Sequence, residues 1–367
     1  MSLTNSNRLV IKVGSALTAP GNNGCSSKHL KNIAEFIQSC RRQGREVIIV
    51  SSGSVAAGRQ WFTNDKPSKA LKKAMAAAGQ TNMMAIWGEL LDMPLGQILL
   101  THADLCNRER YVSIKETIES LLNNGLIPII NENDTVTSDE LKVGDNDNLA
   151  AMTAAAVDAD TLIMFTDVNG FFDKNPNVHS DAKLLKQVFE ITPSIYAMAG
   201  GSVSSTGTGG MLTKVEAAEK ATAYGIDAYI INGFDSNSFE LLAKGKNPGT
   251  HFLPNETPLT PSIHWMTHTV RECGEVIIDN ENANFYGTDQ VLTSENILEV
   301  KGQFSIGDSI LVSTNDGKNI VKATANYSSC LLNHISQKQD EDDTDEHTPP
   351  QEYSIVSKEY LAVLENT

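Results

Sequence analysis

From Cys273 to the C-terminus the chain contains no arginine, and 17 acidic residues there face five lysines, a balance of −12. The formal net charge of all 367 residues is −16, so the first 272 residues contribute only −4. Nucleic-acid affinity rests on Lys and Arg neutralising phosphates, which argues against RNA as a partner of the C-terminal third. Cysteine is also scarce: Cys25, Cys40, Cys106, Cys273 and Cys330 are an odd set with no CxxC pair and no zinc-like spacing. That pattern fits reduced thiols in a cytosol and excludes a disulfide framework. No run approaches the roughly 18 apolar residues of a membrane span. The N-terminal Met-Ser-Leu-Thr-Asn-Ser-Asn lacks a basic stretch before an apolar core, so no signal peptide is expected and the predicted location is the cytoplasm.

What is present is strand–helix alternation over the first 250 residues. Leu9–Val13, Glu46–Val50, Leu126–Ile130, Thr161–Phe165 and Ala228–Ile231 read as β-branched strands buried on both faces. His29–Arg42 and Asn107–Asn124 read as helices between them. This predicts an α/β fold, a mainly parallel sheet covered by helices in three αβα layers. Pro248, Pro254, Pro258 and Pro261 then mark a break. The expected boundaries are a first domain over 1–258, a linker over 259–272 and a small β-rich domain over 273–337. The charged stretch 338–352 reads as a disordered loop, and 353–367 as a returning strand, Tyr353–Val356, with a tail.

Four polar clusters follow predicted strands at their C-terminal ends, where open α/β sheets place ligands. In Val10-Ile11-Lys12-Val13-Gly14-Ser15, Lys12 could reach a phosphate while the backbone at Gly14 approaches closely; a solvent-facing Lys before a turn explains it equally. In Ser51-Ser52-Gly53-Ser54 small residues lead into a helix whose N–H groups suit an anion, or simply make a tight turn. The third cluster is the densest: Asn131-Glu132-Asn133-Asp134, then Asp145-Asn146-Asp147-Asn148. So many carboxylates and amides could hold an ammonium group, organise Mg²⁺ or orient lysines, and a merely hydrophilic loop does not explain their place before an apolar helix. The fourth joins Thr166-Asp167 with Thr208-Gly209-Gly210-Met211-Leu212-Thr213-Lys214, a glycine-rich loop opening a helix that could wrap nucleotide phosphates. It is neither a Walker A loop nor a dinucleotide fingerprint.

Taken in order, VIKVGS, SSGSVAAGR, AAAGQ, INENDTV, LKVGDNDNLAA, TDVNGFF and GTGGMLTK closely resemble the amino acid kinase family, of carbamate kinase-like fold, and within it the glutamate 5-kinases. The resemblance covers about the first 250 residues. It implies ATP with Mg²⁺ carried on it and no direct protein metal ligand, L-glutamate as acceptor, and proline as feedback inhibitor. It further implies a homodimer or homotetramer and a glutamyl phosphate reductase as possible partner. By the same resemblance, Lys12 and Lys214 match the lysines that stabilise the transferring phosphoryl group, and Asp147 the carboxylate between them. Ser52, Gly53, Asn131, Asp134, Asp145 and Asn146 fall in the glutamate site. Lys12, Gly14, Thr166, Asp167 and the run Thr208, Gly209, Gly210, Met211, Leu212, Thr213 and Lys214 fall in the nucleotide site.

The C-terminal region resembles a PUA domain, a small β-barrel, through Gly274-Glu275-Val276 and the run from Gly302 to Asp308. The turn between them departs from that pattern at Gly287–Ser294, and with the acidic balance it points to a structural or regulatory module rather than RNA binding. Two rivals remain: a kinase of the same fold acting on another carboxylate or carbamate, and an RNA-binding or proline-sensing protein with a decayed kinase site. Trp61, Trp87 and Trp265 read as packing residues, His102, His251, His264 and His268 as lacking metal spacing, and Met83-Met84 as helix core or interface.

Overall fold

A computed structural model describes residues 6–21, 24–63, 66–137, 145–200, 210–287, 291–338 and 354–364. The chain divides into two compact units, Met1–Leu259 and Thr260–Thr367.

The first unit holds eight strands: β1 (Arg8–Val13), β2 (Glu46–Ser51), β3 (Leu95–Leu100), β4 (Ile127–Glu132), β5 (Thr161–Thr166), β6 (Gln187–Val188), β7 (Asp227–Asn232) and β8 (Thr250–Phe252). Their order is β3-β4-β2-β1-β5-β7-β8-β6, and every pair is parallel except β7–β8. β1 lies centrally, with Lys12 opposite Val50 of β2 and Met164 of β5.

Two apolar clusters divide the strand residues by alternation. Val10, Ile48, Val50, Ile130, Leu162 and Met164 face the layer containing helices Asn146–Ala156 and Met211–Ala223. Leu9, Ile11, Val47, Ile49, Ile129 and Ile163 face the layer containing helices Ser27–Arg42 and Lys69–Leu91. Both faces are covered, which is why these strands read as unbroken apolar runs, and the result is the three-layer αβα sandwich. Helix Asn146–Ala156 is buried from Asp147 to its end. Its five alanines let it lie close over the sheet without a solvent face.

The second unit holds β9 (Gly274–Ile278), β10 (Ile297–Gly302), β11 (Ser309–Thr314), β12 (Asn319–Ala325) and β13 (Val356–Val363) in the order β10-β9-β11-β12-β13. β9 and β11 run parallel and the other neighbours antiparallel, around Val276, Phe285, Val312, Val321 and Leu332.

Several expectations need correction. The linker over 259–272 contains a helix, Pro261–His268, whose cap Thr260 accepts from Ile263 N at 3.4 Å. Pro261 begins that helix rather than breaking the chain, because a proline at the first helical position forfeits no intrahelical bond. A second unforeseen helix spans Ser329–Lys338. The returning strand spans Val356–Val363, so it begins where the expected Tyr353–Val356 ends. Residues 339–353 lie outside the described residues. Trp61 is 55 % exposed and does not pack in the core, whereas Trp87 is fully buried and Trp265 nearly so. Met83 is buried, and Met84 packs partly against the same cluster.

Candidate active site

Lys12 leaves β1 at the sheet's C-terminal edge, and Lys214 is the fourth residue of helix Met211–Ala223. Both converge on one carboxylate. Lys12 Nζ lies 2.5 Å from Asp147 Oδ1, and Lys214 Nζ lies 3.0 Å from Asp147 Oδ2. Asp147 is fully buried, and each lysine is only 6 % exposed. Burial alone would raise the Asp147 carboxyl; the charges of Lys12 and Lys214, and the hydrogen bonds they donate, outweigh it and bring the pKa down to about 2. Asp147 alone cannot neutralise both lysines. Thr213 Oγ1 lies 2.9 Å from the Gly210 carbonyl and 3.2 Å from Asp147 Oδ2, and its one hydroxyl proton serves these two acceptors.

Beside the lysines lies a chain of amides. Asn146 Nδ2 donates to Ser52 Oγ at 2.8 Å and to Asn131 Oδ1 at 2.9 Å. Asn131 Oδ1 also accepts from the Glu132 N–H, and its Nδ2 donates to Gln80 Oε1 at 3.0 Å. Those bonds fix the Asn146 amide and leave its Oδ1 buried with no hydrogen-bond partner among the described residues. Another such acceptor is Asp145 Oδ2, whose sister oxygen caps the helix by accepting from Asn148 N at 2.9 Å. Burial first, then the Asp147 charge, push the Asp145 carboxyl up. Two unpaired buried acceptors side by side in the chain suit a cationic donor such as an ammonium group. Asp134 accepts from Ser54 Oγ at 2.7 Å.

Gly53 makes the turn out of β2 at φ 109°, a left-handed conformation that favours glycine. The helix it opens, Ser54–Gly58, has five residues. Ser52 N donates to the Val13 carbonyl and Gly14 N to the Phe165 carbonyl, tying the ends of β1, β2 and β5 together. Thr166 Oγ1 donates to Asp167 Oδ1 at 3.1 Å at the end of β5. Gly210 caps the second lysine's helix, Met211 and Leu212 open it, and Leu212 is 41 % exposed. Thr208 and Gly209 lie outside the described residues, as do 138–144 of the acidic cluster.

The structure therefore brings Lys12, Asp147, Lys214 and Thr213 into one group and Ser52, Asn131 and Asn146 into another, joined through the neighbours Asn146 and Asp147. Sequence reasoning assigned no role to Gln80 or Ser54. Both sit inside motifs it had singled out, AAAGQ and SSGSVAAGR, but their partners Asn131 and Asp134 are distant in sequence.

This group of a carboxylate and two buried lysines lies within residues 7–232, which match the amino acid kinase family. The chain belongs to that family. It is 53 % identical to glutamate 5-kinase 1 of Pseudoalteromonas translucida over the whole of both chains. It is 47 % identical to the glutamate 5-kinase of Idiomarina loihiensis over 98 % of each, and 43 % identical to that of Salinibacter ruber over 90 % of each. Within the amino acid kinases, it falls among the glutamate 5-kinases. No helix among the described residues is long and apolar enough to cross a membrane.

Proposed function

We propose that the chain transfers the γ-phosphoryl group of ATP to the side-chain carboxylate of L-glutamate, giving L-glutamyl 5-phosphate and ADP, the first step of proline synthesis. The observation that carries this is the Lys12–Asp147–Lys214 arrangement. A glutamate carboxylate is already ionised near neutral pH, so the reaction needs no general base. One carboxylate oxygen attacks the γ-phosphorus, the bond to the bridging oxygen of ADP breaks, and ADP leaves with the electron pair. The obstacle is repulsion between two anions. Lys12 and Lys214 answer it by holding positive charge where negative charge gathers in the transition state, and Asp147 fixes their spacing.

Asn146 Oδ1 and Asp145 Oδ2, with Asp134, would take the α-ammonium group of glutamate, and Ser52, Gly53 and Asn131 would shape the pocket. Gly14, Thr166, Asp167 and the run Thr208 to Lys214 would receive the nucleotide. Among the described residues no cluster of three or more His, Cys, Asp or Glu could hold a metal ion. Mg²⁺ would arrive on the ATP phosphates, as is usual for that ion, and neutralise part of their charge. The protein's own share is positioning and the two ammonium groups.

We further infer a cytoplasmic homodimer or homotetramer, inhibited by proline at the glutamate site, that hands its labile acyl phosphate to a glutamyl phosphate reductase. The second unit would serve as a PUA-like structural or regulatory module. The test is ATP turnover by the purified chain with Mg²⁺ and L-glutamate, trapping the product with hydroxylamine, with and without proline. Glutamate-dependent hydroxamate is the expected result; hydroxamate formed only with another carboxylate would move the chain elsewhere in its family.

A further inference from the structure

Helix Asn146–Ala156 brings Asp147 to the site, and helix Met211–Ala223 brings Lys214. Their ion pair keeps its 3.0 Å only while the starts of the two helices keep one spacing. Asn148 lies one residue beyond Asp147 and is 6 % exposed. Its Nδ2 donates to Glu216 Oε2 at 3.2 Å, and its Oδ1 accepts from Lys220 Nζ at 2.8 Å. Glu216 and Lys220 are four residues apart and so share one face of the second helix. Asn148 N also donates to Asp145 Oδ1 at 2.9 Å, tying the same residue to the cap of its own helix.

The carboxamide fits this slot in one orientation. An ammonium cannot accept and an ionised carboxylate cannot donate, so Oδ1 must face Lys220 and Nδ2 must face Glu216. Neither an apolar side chain nor a simple carboxylate of that size satisfies both half-buried partners, and each then loses the hydrogen bond that links it to the neighbouring helix. Glu216 stands two residues past Lys214, and Lys220 a further turn on, in the last turn of the same helix, so the clasp grips the body of the helix whose start carries the second ammonium. Between Glu216 and Lys220, Glu219 accepts from Tyr196 OH at 2.5 Å, which ties that helix to helix Pro193–Ala199.

We propose that Asn148, clasped between Glu216 and Lys220, is a positioning residue for phosphoryl transfer, setting the spacing of Asp147 and Lys214 without touching either substrate. The claim rests on the kinase assignment above. Its signature is kinetic. A misplaced Lys214 weakens stabilisation of the transition state more than binding of the ground state, so kcat falls while KM holds.

The experiment uses the full chain with Asn148→Leu, Asn148→Asp, Glu216→Gln and the double variant Asn148→Asp/Glu216→Gln. Hydroxamate kinetics and urea unfolding are measured for each. Asn148→Leu is expected to lower kcat on the order of ten-fold, short of the ~10²-fold that a full ångström of misplacement can cost, with both KM values within about three-fold. Asn148→Asp is expected to fall similarly, because its new carboxylate faces Glu216. The double variant should recover kcat to within about three-fold of wild type, since the amide at 216 then donates to the carboxylate at 148. Wild-type kcat in folded Asn148→Leu, or a double variant no better than the worse single one, overturns the proposal. If Asn148→Leu does not fold, Lys220→Met asks the same question from the other helix, and unchanged kcat there overturns it too. A wild-type chain that phosphorylates another carboxylate but not glutamate refutes the glutamate assignment alone, and the same kcat comparison with that acceptor decides the clasp.

Discussion

Gly79 lies so close to Ser54 that a Cβ on it would sit 1.8 Å from the Ser54 carbonyl oxygen. The reverse contact is as tight: a Cβ on Gly58 would sit 1.9 Å from the Met75 carbonyl oxygen. Helices Ser54–Gly58 and Lys69–Leu91 thus touch backbone to backbone, which brings Gln80 to Asn131 and sets Ser54 against Asp134. Gly79→Ala should push the crossing apart and lower stability by about 1–3 kcal/mol, with a raised KM for glutamate. Urea unfolding and glutamate titration check this; an unchanged midpoint would mean that the crossing relaxes freely.

Removing either ammonium group should strike turnover. Lys12→Ala and Lys214→Ala are each expected to lower kcat by on the order of 10²-fold or more, the scale seen for positioned groups that stabilise transition-state charge. Circular dichroism confirms folding and hydroxamate formation gives the rate. Near-wild-type turnover in either folded variant would sink its assignment.

Asp147→Asn removes one charge and leaves two buried ammonium groups facing each other without a counter-ion. The expected cost is about 3–5 kcal/mol of stability, read by urea denaturation at neutral pH. The acid limb of stability should change as well. Asp147 has its folded pKa lowered from the ordinary 3.8 to about 2, so its contribution is complete above 3.8 and lost as pH falls through about 2. Wild type should lose stability across that window more steeply than Asp147→Asn. Parallel curves for the two proteins would show that the carboxylate is not held as described.

Asp145 shifts the other way. Burial, then the charge of Asp147, raise its pKa above the ordinary 3.8, so falling pH neutralises it sooner than an ordinary aspartate. If its free oxygen takes the substrate ammonium, KM for glutamate should climb on the acid side while KM for ATP stays level. Glutamate and ATP titrations across the acid range test this, and a joint rise of both constants would place the titrating group elsewhere.

The strands that carry the site were legible because they are buried on both faces, and a β-branched run such as Val47-Ile48-Ile49-Val50 suits little except a central strand. β3 was not read, since Gly96 and Gln97 interrupt its pattern and it forms the edge of the sheet. Helix Lys69–Leu91 escaped because its alanines and glycines give little contrast between faces. Asp147 was legible as part of a dense acidic cluster, and its place between Lys12 and Lys214 was implied by resemblance. Gln80, Ser54 and Asn148 were not assigned. A polar residue in a helix reads as solvated until the residue across from it is known, and each of these partners lies 51 to 80 residues away along the chain. Proline misled once, at Pro261, where the start of a helix looked like a linker.

Asp147 gives one negative charge to two cations from different layers of the fold. Neither lysine is therefore an independent part. An acetyl group on the Lys12 amine would leave the carboxylate wholly to Lys214, drawing that ammonium back from the phosphate it has to meet. On the proposed mechanism, covalent labelling of either amine is expected to disable the other as well, and the two are equally buried, at 6 % exposure each.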